Sequence, residues 1–114
     1  MMNLFDAVMQ KDGSSTINII EQIHADGVDL RQFIKSFTGF VLDIKKWYIL
    51  GDFTYLTIPQ IDDITNWLNK MQYDESGISD LLKVLVYLQG EIKYDNSPKN
   101  YIESKLLLIQ EDVE

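Results

Sequence analysis

The sequence predicts an all-α fold, a compact bundle of five to six helices in one domain that spans residues 1–114. Apolar residues recur with the 3.6-residue period of amphipathic helices along nearly every segment. Only one short segment alternates as a strand does, and no second segment offers it a convincing pairing partner. A chain of 114 residues, 46% of them hydrophobic, can bury one core without disulfides or metals.

The first two predicted helices are separated by a polar turn. The apolar side of the first helix consists of Leu4, Phe5, Val8 and Met9. The turn "KDGSS" offers Asp12 or Ser14 as the N-cap of the second helix. That helix is expected to end at Asp26-Gly27, because glycine tolerates the left-handed backbone that follows many helices. Its apolar side consists of Ile17, Ile20, Ile23 and His24.

The third helix has the clearest pattern in the chain. Asp29 is its predicted N-cap. Seven apolar residues follow at offsets 0, 3, 4, 7, 11, 14 and 18, a spacing that a strand cannot use. They are Leu30, Phe33, Ile34, Phe37, Val41, Ile44 and Tyr48.

The middle of the chain begins with "GDFTYLTIP", which interrupts the helical period and predicts an extended connection packed by its aromatic residues. A fourth helix is expected to begin near Pro59, with Thr57 as its cap and Trp67 beside its apolar stripe. After the break "YDESG", a fifth helix carries the apolar residues Ile78, Leu81, Leu82, Leu85, Leu88 and Ile92.

The closing helix is predicted from Pro98 to about Glu111, with Ser97 as N-cap and Pro98 at the first helical position. Its last turns, "LLLI", are apolar on most sides. The core stripe is expected to consist of Ile102, Leu106, Ile109 and Val113, and Leu107 and Leu108 extend it around the helix. A helix that is apolar on most sides is expected to be covered on most sides.

Amino-acid composition limits the classes of function that this chain can have. The 18 acidic and 10 basic residues give a net charge of −8, and the basic residues are scattered, so direct nucleic-acid binding is disfavoured. The chain has no cysteine, which excludes disulfides and thiolate chemistry. It has no apolar run long enough for a membrane span and no secretory signal, so we expect a cytoplasmic protein with protein partners.

The candidate catalytic and metal-binding patterns have simpler explanations. Glu21 and His24 have the spacing used in di-iron bundles, but those sites need a second histidine and the chain has one. Asp62 and Asp63 could form a carboxylate pair, although acidic residues are also favoured in the first turn of a helix. No catalytic triad, phosphate-binding loop or dinucleotide fingerprint is present. We therefore expect no catalysis and no cofactor or metal in this domain.

Two segments resemble one family. "LFDAVMQKDGSSTINIIEQIHADGVDLRQFIKSFTGFVLDI" (residues 4–44) resembles the start of the C-terminal collar domain of the bacterial DNA polymerase III gamma/tau subunit. "SPKNYIESKLLLI" (residues 97–109) resembles the closing signature of that domain. Pro98, Glu103 and the paired leucines Leu106 and Leu107 match it, with Ile109 at its final apolar position, whereas Lys99 and Leu108 stand where the family usually has arginine.

This resemblance implies a clamp-loader collar fold and a mechanical role in DNA replication. The collar holds the subunits of the hetero-pentamer in a ring while ATPase modules load the sliding clamp. The implied partners are gamma/tau copies, delta and delta-prime. ATP and Mg would belong to an AAA+ module absent from this chain, so we expect the chain to be a fragment of a larger subunit. Alternatives are a delta or delta-prime collar, a free-standing acidic adaptor and, more remotely, an enzyme with a carboxylate pair.

The candidate interface residues lie in two regions. On the closing helix, Glu103 is expected to pair with a basic residue of its own fold or of a neighbour, or to favour the helix dipole alone. The apolar and aromatic candidates would bury against neighbouring domains. The full set is Pro98, Lys99, Tyr101, Glu103, Leu107, Leu108, Trp47, Phe53 and Tyr55.

Overall fold

The computed structural model describes residues 2–51, 66–67, 70 and 73–110. These residues contain five helices and no strand, which confirms the prediction of an all-α bundle. The predicted connection after Gly51 and most of the predicted fourth helix lie outside the described residues, although Asn66, Trp67 and Lys70 are helical. The five helices are α1 (Met2–Met9), α2 (Gly13–Ala25), α3 (Leu30–Leu50), α4 (Glu75–Glu91) and α5 (Pro98–Leu108).

The helix boundaries in the first half follow the predicted capping residues. Asp12 caps α2, where its carboxylate accepts from the backbone N–H of Ser15 at 3.1 Å and from the Ser15 hydroxyl at 2.7 Å. After α2, Gly27 takes the left-handed conformation with φ of 80°. Asp29 then caps α3 by accepting from the backbone N–H of Arg31 at 3.0 Å. Local sequence therefore sets both ends of α2 and the start of α3.

The core is built around α3, which packs along α4, whereas α2 lies against α1 and α5. The predicted stripes of α3 and α4 are confirmed, because Leu30, Ile34, Phe37, Val41 and Ile44 are buried on α3 and face a buried set on α4. That set consists of Ile78, Leu81, Leu85 and Leu88. The second helix contributes less than its pattern predicts, since Ile20 is buried but His24 is exposed.

An aromatic cluster joins α1 to the residues before α4. The Phe5 ring packs edge-to-face with the Tyr73 ring, with centroids 5.0 Å apart. It packs in the same way with the Trp67 ring, with centroids 5.6 Å apart. The Tyr73 hydroxyl donates to the Asp6 carboxylate at 2.5 Å. Burial and this hydrogen bond raise the pKa of Tyr73.

The closing helix ends earlier than predicted. We expected it to reach about Glu111, but α5 ends at Leu108 and the next residues form a turn, in which the Gln110 backbone N–H donates to the Leu107 carbonyl at 3.1 Å. The buried side-chain amide of Gln110 donates to the Leu106 carbonyl at 3.0 Å and to the Thr16 hydroxyl of α2 at 3.1 Å. These contacts favour a turn over a further helical turn.

Among the residues described, no helix is both long and apolar enough to cross a membrane.

Candidate protein interface on the closing helix

The first turn of α5 is fixed within the fold. Pro98 occupies the first helical position as predicted, and its side chain is buried. Ser97 is the N-cap residue, but its side chain makes no capping hydrogen bond. Instead, Asp95 accepts from the backbone N–H of Ser97 at 2.8 Å. Pro98 therefore positions the helix and offers little surface to a partner.

One side of α5 faces α2 and carries Lys99, Glu103 and Leu107, which are spaced four residues apart. The Lys99 ammonium lies 2.8 and 3.0 Å from the two carboxylate oxygens of Glu21 on α2. The Glu103 carboxyl is close enough to Glu21 to hydrogen-bond with it. The sequence left open whether Glu103 pairs with a basic residue of its own fold; in the structure the nearby ammonium, that of Lys99, bonds to Glu21 instead.

The same side of α5 continues to Leu107. A Cβ added to Gly13 at the start of α2 would lie 3.1 Å from Leu107 Cδ2, so the leucine covers this glycine closely. Leu107 nevertheless remains 37% exposed. It contacts α2 with one edge and offers the other edge to solvent.

The opposite side of α5 carries Tyr101, Lys105 and Leu108, which share a helix face by their spacing. The Lys105 ammonium lies 5.5 Å from the Tyr101 ring centroid and 5.3 Å from that of Tyr87 on α4. The Tyr101 hydroxyl donates to Glu91 of α4 at 3.3 Å. We call the four residues Tyr87, Tyr101, Lys105 and Leu108 the outer face.

The outer face is the most exposed apolar part of α5. Leu108 is 55% exposed and Tyr87 is also 55% exposed, whereas Leu106 is completely buried. The pKa of Tyr87 is raised by its hydrogen bond to Glu91, and that of Tyr101 is raised first by burial and then by the charge of Glu91. Both tyrosines therefore stay neutral near pH 7 and present amphipathic rings with little rotamer freedom to lose.

The other candidates lie at the end of α3 or outside the described residues. The Trp47 ring is partly buried and meets the edge of the Tyr48 ring, with centroids 5.0 Å apart. The next residues, Ile49 and Leu50, are exposed. Phe53 and Tyr55 lie outside the described residues.

Two residues of the outer face, Tyr87 and Lys105, are not among the interface residues predicted from the sequence. In the predicted fifth helix, which is α4 in the structure, Tyr87 lies off the buried stripe. An aromatic residue off the stripe is a signal that could have identified it. The Tyr87–Lys105 contact joins two helices, so it depends on how α4 and α5 cross. Sequence spacing does not specify that crossing.

Little in the described part of the chain resembles a catalytic or metal centre. No group of three or more potential metal ligands occurs among these residues. A cavity of about 380 Å³ lies between α1 and α2, and its polar lining includes Asp6, Asp12 and Asn18. Asp12 already caps α2 and Asp6 already accepts from Tyr73, so both carboxylates serve the fold. Asp62 and Asp63 lie outside the described residues.

The fold and this surface define an all-α domain with an exposed apolar and aromatic face on its last helix. No protein-family profile, curated protein or solved structure matches the chain.

Proposed function

We propose that this domain is a non-catalytic association domain that binds other proteins through its outer face. More specifically, we propose that it is the collar of a clamp-loader subunit of the gamma/tau type, with gamma/tau, delta and delta-prime subunits as partners. It would hold these subunits in a ring while their ATPase modules load the sliding clamp in the cytoplasm. The observation that carries the proposal is the exposure of Leu108 beside the two tyrosines and Lys105.

The composition of the outer face supports a protein partner. Tyrosine is enriched among the residues that dominate binding energy at protein interfaces. Two further apolar side chains of α4 and the segment after it are exposed, Val86 at 59% and Tyr94 at 84%. A stable interface buries about 800 Å² per partner, so the outer face would form its centre and not the whole contact.

The charge of the chain supports a protein role over direct DNA binding. The net charge is −8. Lys105 is the one cation among the four outer-face residues, and the Glu91 carboxylate bonded to Tyr101 adds a negative charge there, so the surface lacks the excess of cations that phosphate binding requires. In the proposed assembly, DNA contact would be left to other parts of the complex.

A second candidate function is a free-standing acidic adaptor, since the net charge of −8 and the exposed outer face also suit a protein partner outside the clamp loader. The collar proposal depends on the resemblance of residues 4–44 and 97–109. An adaptor would use the same outer face but would bind a partner outside the clamp loader. A delta or delta-prime collar would differ from the leading proposal only in its position in the ring. The identity of the bound partner distinguishes these functions.

The test is to mix this chain with purified gamma/tau, delta and delta-prime subunits and to measure the mass of the mixture by light scattering coupled to gel filtration. We expect a stable complex that contains the chain. Leu108→Gln should weaken it about tenfold, which corresponds to about 1.4 kcal/mol. Leu42→Gln is the matched control, because Leu42 is a 40% exposed leucine on α3.

Two results would contradict the proposal. If the chain binds none of these subunits at high concentration, the clamp-loader role is wrong and the adaptor function remains. If it binds but Leu108→Gln and Leu42→Gln have equal effects, then the outer face is not the interface.

A further inference from the structure

The carboxyl group of Glu103 lies in an unusual position between α5 and α2. Its Oε1 atom is buried, and no described residue donates a hydrogen bond to it. An ionised carboxylate only accepts hydrogen bonds, and a buried acceptor without a donor is costly. A protonated carboxyl, by contrast, has an O–H group to donate. The surroundings of Glu103 therefore favour its neutral form.

The group that can accept this proton is on α2. Glu21 lies beside Glu103, and both of its oxygens accept from the Lys99 ammonium, at 2.8 and 3.0 Å. The lysine is thus committed to Glu21. Two ionised carboxylates beside one ammonium would leave an unbalanced negative charge at a partly buried contact. One proton on Glu103 balances the cluster and gives each carboxyl a partner.

We propose that Glu103 and Glu21 share one proton, which Glu103 donates to the Glu21 carboxylate, and that this proton stabilises the contact between α5 and α2. Burial of Glu103 and its contact with Glu21 raise the pKa of Glu103 above its ordinary value of 4.5. The hydrogen bond from Lys99 and the contact with Glu103 lower the pKa of Glu21 below 4.5. The opposite shifts agree with one proton held between two carboxyl groups.

The other charged groups near the pair are few. His24, one turn after Glu21 on α2, also lowers the pKa of Glu21 by its charge. From α4, Glu91 accepts from Tyr101 on the opposite side of α5. From α3, the Arg31 guanidinium donates to the Ile92 carbonyl at 2.9 Å. Within the described part of the chain, the groups whose charge acts on the pair are therefore Lys99 and His24.

The sign of the pH dependence follows from the two shifts. A raised pKa for Glu103 contributes stability that is present below pH 4.5 and is lost as the pH rises through the folded-state pKa. A lowered pKa for Glu21 contributes stability that is present above pH 4.5 and is lost as the pH falls through its folded-state pKa. Both contributions are present in the window between the folded-state pKa of Glu21 and the folded-state pKa of Glu103. The α2–α5 contact is expected to weaken when the pH rises above that window.

The first test is a carbon-13 NMR titration of the glutamate side-chain carboxyls in the intact chain. We expect Glu103 to titrate with a midpoint above 4.5. In Glu21→Gln the midpoint should fall, because the amide donates to the Glu103 carboxylate, the negative charge of Glu21 is gone and Lys99 is released. A Glu103 midpoint at or below 4.5, or one unchanged in Glu21→Gln, would overturn the proposal.

The second test is urea unfolding between about pH 5 and pH 8, a range that covers raised glutamate pKa values. The wild-type midpoint should fall as the pH rises. Glu103→Gln should lack this fall, since the amide is neutral at every pH and still donates to Glu21. The matched control is Glu75→Gln, which removes one charge from the Lys45–Glu75 pair, where the oxygen lies 2.8 Å from the ammonium. A pH dependence in Glu103→Gln equal to that of wild type would also overturn the proposal.

Discussion

Three consecutive leucines on α5 have very different surroundings, and alanine substitutions should measure the difference. Leu106 is completely buried, Leu107 is 37% exposed and Leu108 is 55% exposed. Each Leu→Ala change removes three carbon atoms, and a buried methylene group contributes about 0.8 kcal/mol. Leucine and alanine both favour helices, so helix propensity contributes little to the comparison.

The expected costs follow from burial. Leu106→Ala should lower the free energy of unfolding by about 3 kcal/mol, because a cavity adds to the lost transfer energy of about 2.4 kcal/mol. Leu108→Ala should cost about 1 kcal/mol, because less than half of the side chain is buried and water fills the space that it leaves. Leu107→Ala should cost about 1.5 kcal/mol, since the edge of Leu107 against Gly13 is lost.

The assay is urea unfolding followed by circular dichroism at a fixed pH, with the three variants and wild type side by side. A thermal scan should show melting temperatures lowered by about 4 °C per kcal/mol. The order of the three variants in partner binding should differ from their order in stability. Leu108→Ala should lose the most affinity for the partner once differences in folding are accounted for. If Leu108→Ala destabilises the chain as much as Leu106→Ala, then the outer face is part of the core and the proposed interface is wrong.

The remaining predictions concern one partly buried hydrogen bond and two glycines. Tyr73→Phe should lower the free energy of unfolding by about 1.5 kcal/mol, because the Asp6 carboxylate loses a donor. The raised pKa of Tyr73 contributes stability that is present below pH 10.0 and lost above it, so wild type should lose more stability than Tyr73→Phe between about pH 9 and pH 11, as followed by urea unfolding. Gly39→Ala, in open space within α3, should raise the melting temperature, with a gain of about 0.8 kcal/mol. Gly27→Ala should lower the melting temperature, because alanine at φ of 80° costs about 1 kcal/mol even though the position is equally open. Equal effects of the two alanines would contradict the assigned backbone conformation.

Sequence was sufficient for much of the fold because the relevant interactions are local. Asp12 and Asp29 cap helices through backbone groups two or three residues away, and Gly27 ends α2 through its own φ. The apolar stripe of α3 needs only the helical period to be recognised. The end of α5 could not be predicted in the same way, because Gln110 reaches back to Thr16 across 94 residues.

The candidate interface was harder to predict, because helical spacing does not say what faces each side of a helix. The sequence predicts both Lys99 and Tyr101 as interface residues of the closing helix, but the structure places them on different sides of α5. Lys99 bonds to α2, whereas Tyr101 bonds to α4. Tyr87 was missed because its role depends on Lys105, which lies on another helix.

The distribution of contacts around α5 explains why this helix is apolar on most sides. Its inner side, with Ile102 and Leu106, fills the core. The side toward α2 holds Glu21 through Lys99 and closes over Gly13. Leu108, at 55% exposure, contributes least to either contact, so the fold alone gives little reason for an apolar residue there. The partner proposed for the outer face would supply that reason, and it would also bury Lys105 together with its two tyrosine rings, where the cation–π contacts would gain strength as water is removed.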